Sequence, residues 1–270
     1  MEAKPLRPKE GLFVLHLFYT IDRLVWQNVP LPERQANWDR LQRIIEEAAA
    51  ADQGQVVTCA MIARADIGFM LLGADLHSLQ RIEKQIAASL GAGVLKPVFT
   101  FFSLTERSEY TQTEEEYQME LQARGVVPAS PDYEGKMEAF RQRIAHYTEA
   151  RLYPKLPDWE FFAFYPMLKR RDGGDNWYTI PHTLRKKLML GHAAVGRTYS
   201  GRVQQLVTGA TGLDDWEWGV TLFAHDPYDV KSIVYEMRFD EVSSRYGGFG
   251  AFYTGLVLPL AEIWKRLDLE

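Results

Sequence analysis

The chain of 270 residues has a formal net charge of −5 and a sequence pI near 5.8, which argues against a general nucleic-acid binder, because phosphate contacts call for concentrated Lys and Arg. With 46% hydrophobic and 13% aromatic residues it can bury one large core or two small ones, which excludes a disordered chain. Cys59 is the one cysteine, so neither an intramolecular disulfide nor a Cys-based zinc or iron–sulfur site can form within one chain, and a reducing, cytoplasmic setting is expected.

Residues 1–11 read as a charged, Pro-bearing tail. The apolar run 12–21 is too short and too interrupted for a membrane span or a secretory signal, and it predicts a strand. Pro32-Glu33 opens a predicted helix, with Trp38, Leu41, Ile44, Ile45 and Ala48 at helical spacing. Two β-type runs, 55–62 and 67–72, flank the turn-like Ala65-Asp66; 76–90 is helix-like and 94–104 strand-rich. The order is β-α-β-β-α-β. Residues 105–136 are polar, with three glutamates at 114–116, and read as a long connection that passes into helical character over 137–151. A strand is then expected over 159–167, a helix over 181–199, strands over 203–208 and 216–223, a helix over 227–239 and mostly extended chain over 242–258.

The same β-α-β-β-α-β order thus appears twice, and Leu17-Phe18-Tyr19 in the first strand resembles Ala163-Phe164-Tyr165 in its counterpart. Two ferredoxin-like modules in an α+β chain are the economical reading, their sheets joining into a barrel-like core. The expected divisions are the tail, an N-terminal module over 12–105, the connection 106–156, and a C-terminal module over 157–270. Chemistry is expected in the second module, because the first lacks counterparts of His192 and of the Lys169-Arg170-Arg171 cluster.

In the helix from Pro181, Leu184, Leu188, His192, Val195 and Tyr199 share one face. A histidine there is either a core residue satisfied by a backbone carbonyl or, as a neutral imidazole in apolar surroundings, a ligand for haem iron. Spacing leaves both open. Tyr165 closes an aromatic strand before Pro166, which marks a strand end or bulge. Lys169, Arg170 and Arg171 form either a solvated basic turn or, facing a pocket, a carboxylate-neutralising cluster. Alternation sets Gln205 on the face of Val203 and Val207. Trp216 and Trp218, two residues apart, are expected on one core face. Arg238 and Ser243 lie in a polar stretch that either caps a helix or reaches an anion. His16, His77, His146, His182 and His225 lack metal-cluster spacing and are expected at the surface or in packing.

Taken together, Tyr165-Pro-Met-Leu-Lys-Arg-Arg171, Asp175-Asn-Trp-Tyr178, Gly191-His-Ala-Ala-Val-Gly-Arg197, Val203-Gln-Gln205, Asp214-Asp-Trp-Glu-Trp-Gly-Val220 and Tyr235-Glu-Met-Arg-Phe-Asp-Glu241 resemble the chlorite dismutase-like superfamily. Within it the string is most similar to the glutamine-bearing coproheme decarboxylases of Gram-positive-type haem synthesis. The resemblance implies duplicated ferredoxin-like modules in a dimeric α+β barrel, a homopentamer, and the porphyrin in the C-terminal half. His192 would be the proximal iron ligand, Tyr165 the radical site, Lys169 a charged neighbour of the reacting propionate, and Gln205 a distal residue. Arg151, Met167, Arg238 and Ser243 would line the porphyrin or contact its propionates.

The implied activity is peroxide-dependent decarboxylation of iron coproporphyrin III (coproheme), which is both substrate and redox centre, to haem b. Hydrogen peroxide would be the co-substrate, and coproporphyrin ferrochelatase a transient partner. Three rivals stand beside it. One is a haem-binding or trafficking protein with incidental peroxidase activity, another an oligomeric scaffold without porphyrin. The third, a chlorite dismutase, is disfavoured because Gln205 stands where that enzyme carries an arginine.

Overall fold

The structure, a computed structural model, describes residues 4–269. β1 (Phe13–Ile21), β2 (Gln55–Ile62), β3 (Ile67–Gly73) and β4 (Leu95–Thr105) alternate with α2 (Leu31–Ala50) and α3 (Leu76–Ser89), after a short α1 (Arg23–Gln27). β5 (Phe161–Lys169), β6 (Val203–Gly209), β7 (Trp218–Ala224), β8 (Gly247–Phe249) and β9 (Tyr253–Val257) form the second set, with α6 (His182–Arg197) and α7 (Pro227–Met237). The first module orders its strands β4-β1-β3-β2 and the second β9-β5-β7-β6, the same arrangement of corresponding strands. β4 pairs with β6 and β2 with β9, so each module supplies both seams of a closed antiparallel barrel. The duplicated ferredoxin-like α+β fold is therefore as the sequence predicts.

Closure explains why strands such as β3 are apolar without alternation: one face looks into the barrel and the other is covered by helices. Phe18, Phe101, Phe162, Phe164, Phe223 and Tyr253 fill the interior. Outside the first module, Trp38, Leu41 and Ile44 of α2 and Ile82 and Ile86 of α3 seal the sheet. A C-terminal helix not anticipated from sequence, α9 (Leu260–Leu267), adds Ile263 and Trp264 to that layer, Trp264 lying 4.3 Å from the ring of Trp38. No helix among the described residues is long and apolar enough to cross a membrane.

Three expectations are corrected. The helix expected over 137–151 is present but starts earlier, as α5 (Pro131–Leu152), and the polar stretch before it carries a further helix, α4 (Glu114–Ala123). α4 starts at a capping box in which Thr113 and Glu116 exchange side-chain and backbone hydrogen bonds, so the three glutamates form a first turn favoured by the helix dipole. The stretch 242–258 is broken by α8 (Glu241–Tyr246), because Asp240 accepts from the Val242 and Ser243 amides as N-cap. β5 does not end at Tyr165. It runs through Pro166 to Lys169, and the proline falls where the neighbouring strand changes from β9 to β8, its carbonyl accepting from Gly250 N at 2.8 Å.

His16 is fully buried inside the barrel, stacked on Phe164 at 4.1 Å, with Nε2 2.8 Å from Thr221 Oγ1 and Nδ1 unpartnered. Burial lowers its pKa to about 3, from 6.5. A depressed folded-state pKa gives stability that is complete above pH 6.5 and is lost as pH falls toward 3. His16→Phe, matching the repeat-related Phe162, is expected to move the acid-unfolding midpoint to lower pH, as followed by circular dichroism; an unmoved midpoint would remove His16 as the acid-sensitive group.

Candidate functional site

Strand alternation puts Tyr165, Met167 and Lys169 of β5 on the outer face of the second module, with Val220 and Leu222 of β7 and Gln205 and Val207 of β6. The corresponding outer face of the first module is closed by α2, which buries Asn37, Trp38, Leu41, Ile44 and Ala48. Its counterpart α6 buries no residue, although it presents Leu188, His192 and Val195 at helical spacing and all its residues are described. α7 does pack, through Val230, Ile233 and Met237. The second module thus has one helix seated on its sheet and one standing over it whose apolar residues Leu188, Met189 and Val195 are only half-buried.

Beneath α6, Tyr165 is 6% exposed and stacks on Phe252 at 4.4 Å. Burial pushes its pKa up to about 12, opposed in part by the Arg238 guanidinium, so the phenol keeps its hydrogen across the neutral range. Met167, half-buried, pairs with Trp218 on one side and Phe249 on the other. Lys169 is 7% exposed, with Nζ 4.7 Å from the ring centre of Trp177. Burial lowers its pKa to about 8, against the pull of the Asp240 and Glu217 carboxylates. Arg170 and Arg171 are exposed, and Arg171 pairs outward with Glu217 at 3.5 Å. The cluster is therefore split: Lys169 is buried in the covered face of the sheet, while Arg170 and Arg171 face solvent.

His192 Nδ1 lies 3.0 Å from Asp240 Oδ2, which leaves Nε2 as the nitrogen available to a ligand. Asp240 also accepts from Ser243 N at 3.1 Å and Ser243 Oγ at 2.9 Å. Burial opposes its charge, yet the hydrogen bonds from His192 and Ser243 hold the carboxyl below its ordinary pKa. Arg238, following α7, lays its guanidinium 3.7 Å from the centre of the Phe249 ring. Tyr165, Met167, Lys169, His192, Arg238 and Ser243 are thereby gathered around one layer between the sheet and its helices.

Gln205 and Arg151 stand to one side of that group. Register sets Gln205 opposite Leu222, two strands and one pair row from Tyr165, roughly 12 Å between Cα atoms. Both line a cleft of about 500 Å³ beside the free edge of β6, with His146, Tyr153 and Lys155. Arg151 Nε donates to Glu106 O at 3.1 Å, and the Glu106 carboxylate accepts from Trp218 Nε1 at 3.2 Å. Gly209 makes room for that carboxylate, since a Cβ there would lie 2.2 Å from Glu106 Oε2. Trp216 packs toward the barrel interior while Trp218 lies on the outer face, so the two do not share one core face; the chain bends between them before β7 begins.

Sequence reasoning missed Asp240 and Glu217. Asp240 carries a local signal, an Asp before a short helix with Ser three residues on, but nothing local indicates its histidine partner. Glu217 is 5% exposed and accepts from the Lys169 amide at 2.7 Å, a contact made only once β5 and β7 pair. An imidazole held through its far nitrogen, an apolar layer floored by sheet residues, and Lys169 and Arg238 at its margin fit an iron porphyrin bearing carboxylates.

A family model described as chlorite dismutase matches residues 34–258. A solved structure described as a novel heme-binding protein from Thermus thermophilus is 36% identical, with 99% of each chain covered and a TM-score of 0.77. Two structures of chlorite dismutase from Candidatus Nitrospira defluvii are each 16% identical over 96% of both chains, a single-residue variant with a TM-score of 0.71 and an imidazole complex with 0.69. The latter pair is a likeness of fold alone.

Proposed function

Because the chain belongs to the chlorite dismutase family, we propose that it is a coproheme decarboxylase, converting iron coproporphyrin III to haem b with consumption of hydrogen peroxide. The observation that carries this reading is the placement of a buried, protonated Tyr165 and a buried Lys169 on the same face of β5. His192 would hold the iron through Nε2, with Asp240 fixing its tautomer and ring orientation. When bound, the iron porphyrin supplies the oxidising power that peroxide activates.

Tyr165 would give up its phenolic hydrogen and regain one from the β-carbon of a propionate. Loss of a second electron and departure of carbon dioxide leave a vinyl group, and each propionate consumes one peroxide and yields two waters. Lys169 would pair with the reacting carboxylate, whose charge returns the ammonium toward its ordinary pKa. Met167 would floor the ring, and Arg238, Ser243 and Arg151 would meet the remaining polar edge. Gln205, a neutral amide, offers peroxide a hydrogen bond but provides no fixed cation for chlorite. Substrate carries four carboxylates and product two, and each lost charge-assisted contact forfeits about 1.5–3 kcal/mol when buried, less when exposed, which favours release. A homopentameric assembly, transient contact with coproporphyrin ferrochelatase and a cytoplasmic setting belong to the same reading.

The test is mass spectrometry of the porphyrin after iron coproporphyrin III and a slow peroxide feed are added to the purified protein. Successive loss of two carboxyl groups supports the enzyme. Tight binding without mass change supports a haem carrier, a reading favoured by the description of the Thermus thermophilus relative as heme-binding. Asp240→Asn, which keeps an N-cap for α8, is expected to weaken iron porphyrin binding by roughly 10–100-fold in a Soret titration. Unchanged affinity would detach Asp240 from the role of orienting His192.

A further inference from the structure

Core packing sets the position of α6 only in part: Leu188 and Met189 rest half-buried on Trp177, Val242 and Tyr246, and Val195 on the outer sheet layer, but no residue of the helix is fully buried. Its N-terminal half meets the connection at four points. His182 stacks on Tyr110, with 6.0 Å between ring centres and 17° between planes. Arg185 pairs with Glu109 at 3.9 Å. Lys186 donates to Thr111 O at 3.4 Å and also pairs with Glu116. The Lys186 side chain is only 15% exposed and that of Glu116 39%, so the pair is shielded on the lysine side and open to solvent on the glutamate side.

The other side of the connection is anchored. Tyr117 of α4 stacks on Phe140 of α5 at 4.4 Å, and Glu114 pairs with Arg141 at 3.1 Å. At the far end of α5, Leu152 O accepts from Thr105 Oγ1 at 2.7 Å, which ties that helix to β4 of the barrel. A continuous path therefore runs from the barrel through α5 and α4 to the N-terminal half of α6, whose apolar residues are half-buried at most.

We propose that residues 109–116 form a brace that holds α6 over the sheet, with Glu116 and Lys186 as its positioning pair. The brace gives the acidic turn 114–116 a use beyond starting α4, because Glu116 serves both the capping box and α6. It rests on the proposed function only in taking the space under α6 as a porphyrin site. Holding the helix at a set height would keep that space open for a flat ring before the ring arrives, and would oppose its escape afterwards.

The test is amide hydrogen exchange across α6 in the ligand-free, full-length protein. Glu116→Gln removes the charge but preserves the capping box, since glutamine serves at that position as well as glutamate. Lys186→Met removes both contacts of the lysine. Glu115→Gln, in the same helical turn but outside the pair, is the control. Exchange of amides 184–190, the hydrogen-bonded ones in the N-terminal half of α6, is expected to speed up by roughly tenfold in Glu116→Gln and Lys186→Met and to be unchanged in the control. Dissociation of iron coproporphyrin III, read at the Soret band, should quicken in the same two variants. Equal exchange in all four proteins, or equal acceleration in the control, would overturn the brace. The exchange readout needs no porphyrin, so a failed decarboxylation assay leaves it interpretable, and a failed brace leaves the decarboxylase reading standing.

Discussion

Tyr165→Phe is expected to bind iron coproporphyrin III within a few-fold of the wild-type affinity and to leave its mass unchanged under a peroxide feed. The substitution keeps the ring that stacks on Phe252 at 4.4 Å and removes only the oxygen, so the layer beneath α6 should stay packed. What it removes is the only O–H at that position from which a hydrogen atom can be taken. The first decarboxylation should therefore slow by roughly three orders of magnitude or more, about 4 kcal/mol in barrier. Soret titration reads binding and mass spectrometry reads conversion, so the two effects separate. Conversion at the wild-type rate in Tyr165→Phe would place the radical on another residue. Binding without conversion in either protein would instead favour the carrier.

The second large effect is on stability and runs opposite to function. Lys169 has a folded-state pKa of about 8 against 10.5 for a free lysine. Because the folded value is the lower one, folding favours the neutral amine, and the stability this group permits is complete above 10.5 and lost as pH falls through 8. At pH 7 the ligand-free protein therefore carries nearly the whole cost of burying an ammonium, set against its contact with the Trp177 ring. Lys169→Met should be more stable than wild type by about 2 kcal/mol at pH 7, with the gain fading between pH 8 and 10.5. Urea unfolding at pH 7 and at pH 10.5 measures this. Affinity for iron coproporphyrin III should fall in the same variant, since the ammonium that destabilises the free protein is the group a propionate would satisfy. A less stable Lys169→Met at pH 7 would mean that Asp240 and Glu217 more than compensate the burial.

The two modules were legible because β-strand and helix periods are local. The repeated order, the strands and the four main helices of the modules all follow from runs of apolar residues at spacing two or about 3.6. What escaped has identifiable causes. α4 lies in a polar stretch whose helix is set by the Thr113–Glu116 capping box rather than by an apolar stripe. α8 has six residues, too short to show a period, and starts because Asp240 caps it. Pro166 inside β5 reads as a strand end, but it is tolerated where the β8–β9 segment is interrupted. Trp216 and Trp218 are two residues apart, and alternation fails for them because Trp216 precedes the strand.

For the candidate site the division is similar. Chain geometry at short range is enough to set Gln205 with Val203 and Val207 and His192 on the apolar face of its helix, whereas Met167 and Lys169 join Tyr165 on one strand face only because β5 continues through Pro166. Residue order leaves open which face of the sheet looks into the barrel, which of the three neighbouring cations is buried, and what His192 touches. These were resolved by packing between elements. The Asp240 carboxylate reaches His192 across 48 residues, and Glu116 reaches Lys186 across 70. Such contacts depend on how closed sheets and separate helices come to rest against one another, and no local period encodes that distance.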